Sequence, residues 1–131
     1  MSILDRYIDE LKEDTHLDEF TMKDVQMKLP GMKHKWTGRL IRTRLDIKQM
    51  YSKRNKLINE LSKQLIEQSP VTLSVPVAKK KVEAHESVAD IDLEIEELKL
   101  VQLFLEKTER ILSSMTFDIK NLTEIIKLET L

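Results

Sequence analysis

The stretch "IDLEIEELKLVQLFLEKTERILSSMTFDIKNLTEII" runs from Ile91 to Ile126, and its periodicity decides the fold. Ile91, Leu98, Leu105, Leu112, Ile119 and Ile126 recur every seven residues, and Val101, Met115 and Leu122 widen the stripe they form. Such a repeat belongs to a long helix that packs on another helix in coiled-coil fashion. "SSMT" (Ser113 to Thr116) is where this helix would kink or split, with Thr116 as an N-cap. An apolar stripe this long needs more cover than short neighbouring helices supply. Leu105, Leu112, Met115, Ile119, Leu122 and Ile126 are therefore expected at a subunit interface of a homo-oligomer.

The rest of the chain agrees with an all-α fold. Only two glycines and three prolines occur in 131 residues, a composition that favours long helices. Residues 3–14 read as a first helix, with Ile3, Tyr7, Ile8 and Leu11 on one face. Residues 18–29 read as a second, short helix ended by Leu29-Pro30-Gly31. A long helix then runs from near Gly31 to near Gln68. "SPVTLSVPVAKKK" interrupts the pattern: Val71, Leu73, Val75 and Val77 alternate with polar residues or proline, which is strand periodicity. Pro70 and Pro76 restrict such a strand to an edge, and its partner would have to come from another subunit. An extended linker fits the same residues equally well. The expected organisation is a single domain over 1–131: short helices at 1–30, a basic helix at 31–68, an extended segment and loop at 69–88, and oligomerisation helices at 89–131.

Charge is distributed unevenly. The chain carries a formal −1, yet residues 1–32 sum to −4, residues 33–81 to +10 and residues 82–131 to −7. Between Lys33 and Lys56 there are nine Lys or Arg against one acid, Asp46. In helical projection Arg39, Arg42, Lys53 and Lys56 lie within about 60° of Lys35. Trp36, Leu40, Ile47, Tyr51, Ile58, Leu61 and Leu65 gather on a separate seam about 120° away. Neighbouring acids could have relieved the repulsion along the basic stripe, so its survival points to an external anion. A one-sided stripe suits a phosphate backbone, from which bound Lys and Arg release counterions. The competing account is a solvated face neutralised by the acidic ends of the same or a neighbouring chain. Trp36 and Tyr51 could stack on bases, but their place on the apolar seam assigns them to the core. Lys79 to Lys81 are a solvated loop or an extension of the stripe.

Other chemistries lack their residues. There is no cysteine, which rules out disulfides and thiolate ligands. His16, His34 and His85 show no metal-ligand spacing. The only glycines are Gly31 and Gly38, so no phosphate-cradling glycine loop exists, and no serine sits in a nucleophile elbow. Asp90, Asp92, Glu94, Glu96 and Glu97 spread around a helix as solvated charge rather than converging on a metal. No catalytic residue, metal or cofactor is expected. No apolar run approaches the roughly 20 residues of a membrane span, and the acidic, amphipathic N-terminus is unlike a signal peptide. These features predict a soluble, intracellular protein.

Three segments carry a resemblance. They are "LDRYIDELKED" (Leu4 to Asp14), Lys35-Trp36 opening the basic helix, and "FLEKTERILSSMTFDIKNLTEIIKLE" (Phe104 to Glu129). In their order and spacing, over most of its length, the chain resembles the UvsY family of phage recombination mediators. The resemblance implies single-stranded DNA binding, a ring-like homo-oligomer built through the C-terminal helices, and work in the cytoplasm of the infected host cell. It also implies two protein partners, the phage recombinase and the single-strand-binding protein that the recombinase replaces. The family's Lys-x-Arg pair is not reproduced at the equivalent register; Arg42-Thr43-Arg44 and Arg54-Asn55-Lys56 are the nearest counterparts. The candidate DNA contacts are Lys35, Arg39, Arg42, Arg44, Lys48, Lys53, Arg54 and Lys56. An alternative is a coiled-coil adaptor that binds proteins and no nucleic acid. A duplex-binding regulator is a third reading, and it lacks a helix-turn-helix.

Overall fold

The computed structural model describes residues 2–130. Among them are four helices, α1 (Ile3–Asp14), α2 (Met22–Gln68), α3 (Val75–Val82) and α4 (Glu86–Glu129), and no strand. The chain divides into two compact units, one taking residues up to Arg42 and from Leu100 onward, the other Thr43–Lys99. Both long helices contribute to each unit.

In the first unit, α1 starts where the Ser2 hydroxyl accepts from the Asp5 N–H at 3.1 Å and donates to the Asp5 carboxylate at 2.7 Å. Leu4, Tyr7 and Leu11 share the inner face at helical spacing, while Ile3 and Ile8, expected beside them, are exposed. The turn into α2 is held by Asp18. Its carboxylate accepts from the N–H groups of Phe20 (2.8 Å) and Thr21 (2.9 Å), and its own N–H donates to the Thr21 hydroxyl (2.9 Å). The core packs Val25, Leu29, Met32, Trp36 and Leu40 of α2 on Val101, Leu105, Leu112, Met115 and Ile119 of α4, with Leu11 closing it from α1. Trp36 sits at its centre, fully buried, edge-on to Tyr7 (5.6 Å between centroids) and to Phe104 (6.4 Å). Thr108, also fully buried, satisfies its hydroxyl on the Phe104 carbonyl at 2.8 Å.

In the second unit, Ile58, Val82 and Val88 form a smaller core with Leu57, Leu61 and Leu65 packed against it. Ser74 caps α3, accepting from the Val77 N–H at 3.4 Å. Proline occupies the first turn of α3, and Lys79 to Lys81 occupy its last, where cations complement the helix dipole.

Three expectations are corrected. Leu29-Pro30-Gly31 does not end a helix; α2 runs through it. A mid-helix proline costs about 3 kcal/mol, but Val25, Leu29, Met32 and Trp36 are all buried on one face across it. Burying a large apolar side chain stabilises by about 1.5–3 kcal/mol, so the four together outweigh the proline. The expected strand over 71–77 is absent, because its second half belongs to α3. Proline is well placed in the first turn of a helix, where it forfeits no hydrogen bond, and the chain offers no second strand to pair with the first. The expected split at Ser113 to Thr116 is also absent: α4 is continuous there, anchored by Met115 in the core.

Candidate nucleic-acid interface

The eight candidate cations all lie on α2, and the structure separates them by what they touch. Lys35 and Arg39 meet the acidic face of α1. Glu10 and Asp14 are four residues apart there and point the same way as Tyr7 and Leu11. The Lys35 ammonium lies 2.6 Å from Asp14 and 3.4 Å from Glu10. The Arg39 guanidinium grips Glu10 through both terminal nitrogens, one at 3.3 Å. It also stacks 4.6 Å from the Tyr7 ring centre and 4.7 Å from that of Trp36. The Trp36 indole N–H donates to Asp14 at 3.0 Å. Arg39 holds the Glu10 carboxyl below its ordinary pKa, chiefly by its hydrogen bond, and Glu10 raises Arg39 in return. Arg42, three residues on, is exposed and has no ion-pair partner among the described residues.

In the second unit Arg54 is tied as well, its Nε 2.5 Å from Asp92 of α4. Arg44 is exposed. Lys48, Lys53 and Lys56 are exposed and without an ion-pair partner among the described residues. The two aromatic candidates part company. Trp36 is fully buried, so it cannot stack on a base without leaving the core. Tyr51, expected in the apolar seam, is 41% exposed, with the Lys99 ammonium 5.5 Å above its ring.

The six residues expected at a subunit interface contribute to packing within the chain. Leu105, Leu112, Met115 and Ile119 are buried in the chain's own core, and Leu122 and Ile126 are half-buried. The exposed large apolar residues of α4 among the described residues form a different set: Leu93, Leu100, Leu103, Ile111, Phe117, Ile125 and Leu128. No group of three or more His, Asp or Glu among the described residues could hold a metal. Among the described residues no helix is long and apolar enough to cross a membrane.

Exposed cations on α2, beside others already neutralised from within, are a feature that several protein classes share. The family comparison decides between them. A family model described as "Recombination, repair and ssDNA binding protein UvsY" matches residues 10–130. The chain belongs to the UvsY family. No curated protein and no solved structure matches it. The UvsY match begins at Glu10, the residue that ties Arg39, and spans all of α2 and α4. UvsY-family membership agrees with the resemblance carried by Lys35-Trp36 and the C-terminal segment.

Neutralisation by the acidic ends of the same chain, the competing account of the stripe, holds for Lys35 and Arg39, but sequence reasoning did not single out Glu10 and Asp14 as the partners. The signal was present in the −4 of residues 1–32. What was missing was the knowledge that α1 folds back onto Trp36.

Proposed function

We propose that this protein is a recombination mediator that binds single-stranded DNA and promotes loading of a recombinase in place of single-strand-binding protein. The observation that supports this reading is the UvsY family match, together with Arg42, Lys48, Lys53 and Lys56, which are exposed and unpaired on the most basic segment of the chain. Lys35, Arg39 and Arg54 serve the fold, so the strand contacts fall to the other cations of α2.

The protein works as a homo-oligomer, with a ring as the arrangement its family resemblance implies, in the cytoplasm of an infected cell. The exposed apolar residues of α4, from Leu100 to Leu128, are the surface a second copy covers. Repeating the cation set around an oligomer lets one strand engage several protomers, and such multivalency can raise affinity about 10²–10⁴-fold.

The test is filament assembly. Recombinase is added to single-stranded DNA already coated with single-strand-binding protein, and assembly is followed by fluorescence with and without this protein. The reading expects faster assembly at substoichiometric protein. No change in rate, with DNA binding intact, would reduce the protein to a DNA binder.

A further inference from the structure

In the second unit a groove of about 380 Å³ opens where the end of α2 meets the start of α3. That volume lies at the low end of the roughly 300–1,000 Å³ of small-ligand sites, enough for a nucleotide-sized group. Its polar lining is Asn59, Ser62, Lys63, Glu67 and Lys79, and Ile66 and Val75 supply an apolar wall. Lys63 and Lys79 come from two different helices, are exposed, and have no ion-pair partner among the described residues. Lys63 and Glu67 are four apart on α2 yet do not pair. Ser62 is 97% buried, and its hydroxyl is the buried side-chain polar atom left without a hydrogen-bond partner among the described residues. Buried polar groups in native proteins are nearly always satisfied, and an exception calls for an explanation. Alanine would fill the same helical position without leaving a hydroxyl unsatisfied.

We propose that this groove holds one phosphodiester of bound single-stranded DNA. Lys63 and Lys79 supply the charge, Asn59 donates a hydrogen bond to the non-bridging oxygens, the Ser62 hydroxyl, closed to solvent in this structure, turns about its Cα–Cβ bond to donate another, and Ile66 and Val75 meet the attached sugar. Two ammoniums and one carboxylate give the lining a net charge of +1, which matches the single negative charge of a phosphodiester. The proposal rests on the single-stranded DNA reading above and places a contact outside the basic stripe.

The experiment is a fluorescence titration of the full chain with a labelled oligothymidylate over a series of salt concentrations. Ser62→Ala is expected to weaken binding several-fold while leaving the thermal midpoint unchanged or higher, a combination a purely structural serine would not give. The double variant Lys63→Ala/Lys79→Ala should lower the slope of log affinity against log salt by about 0.7, the value for one lost single-strand phosphate contact. Glu67→Gln should tighten binding. Wild-type affinity and slope in both Ser62→Ala and the double-lysine variant would overturn the groove site while leaving the DNA reading intact. Absence of salt-dependent binding by the wild type would overturn both. If inorganic phosphate at matched ionic strength protects the wild type but not the double variant against heat, while their DNA affinities agree, the groove takes free phosphate and the DNA assignment fails.

Discussion

Asp14 accepts from the Trp36 indole N–H and, together with Glu10, neutralises Lys35 and Arg39. Because Arg39 lowers the Glu10 pKa in the fold, this contribution is full above the ordinary carboxylate value. It fades as pH falls through the lowered one. Asp18 shifts in the same direction, through the N–H groups of Thr21 and Phe20, and adds to the loss in acid. Thermal melts from neutral pH down to about pH 3 should show falling stability, and Glu10→Gln should flatten that dependence near and below the ordinary Glu value of about 4.3. A wild-type slope in the variant would mean the pair contributes nothing. Trp36 has no exposed surface, so Trp36→Ala should cost about 3–5 kcal/mol by urea unfolding, whereas an aromatic held out for bases would cost little. The buried Trp36 was legible from its place on the apolar seam. The exposed Tyr51 was not, because projection on one helix does not show that the partner presents Lys99 there instead of apolar atoms.

At the scale of elements, the two long helices were legible and their interruptions were misread. Proline and glycine rules are local, whereas the burial that carries α2 past Pro30 is contributed by α1 and α4, far off in sequence. Neither Gly31 nor Gly38 has anything within 4 Å of where a Cβ would stand. Gly38→Ala should therefore stabilise the protein by about 0.5–1 kcal/mol. Pro30→Ala should stabilise by up to about 3 kcal/mol, since the ring is exposed and its removal restores one helical hydrogen bond. Denaturant midpoints check both, and a loss of stability in Pro30→Ala would contradict a helix that is continuous there. The α3 misreading has a different cause. Val71 to Val77 alternate as a strand does, but Ser74 followed by Val75-Pro76 is also a helix start. Strand alternation and a helix cap coincide on these residues, and alternation alone does not tell them apart.

For the whole molecule, the blocks of charge were legible, and so was the option that the acidic ends pair with the basic centre, but not which residues meet. The +10 of residues 33–81 is spent partly inside the chain, on Glu10, Asp14 and Asp92. The heptad stripe was likewise legible as a packing face, and four of its six interface candidates pack inside the chain. Assembly is expected through the other face of α4. Phe117→Asp/Ile125→Asp should therefore sediment as smaller species with helix content kept, since both side chains are exposed by half or more. Ile119→Asp should instead unfold the first unit. A double variant that sediments like the wild type would place the oligomer contact elsewhere. The central claim is that unpaired cations of α2 carry the DNA strand. Its most direct test is the salt dependence of single-strand affinity for Arg42→Ala/Lys53→Ala/Lys56→Ala against wild type. At about 0.7 per phosphate contact, the account predicts a slope shallower by about 2 in a variant that remains folded; a folded variant with the wild-type slope would contradict it.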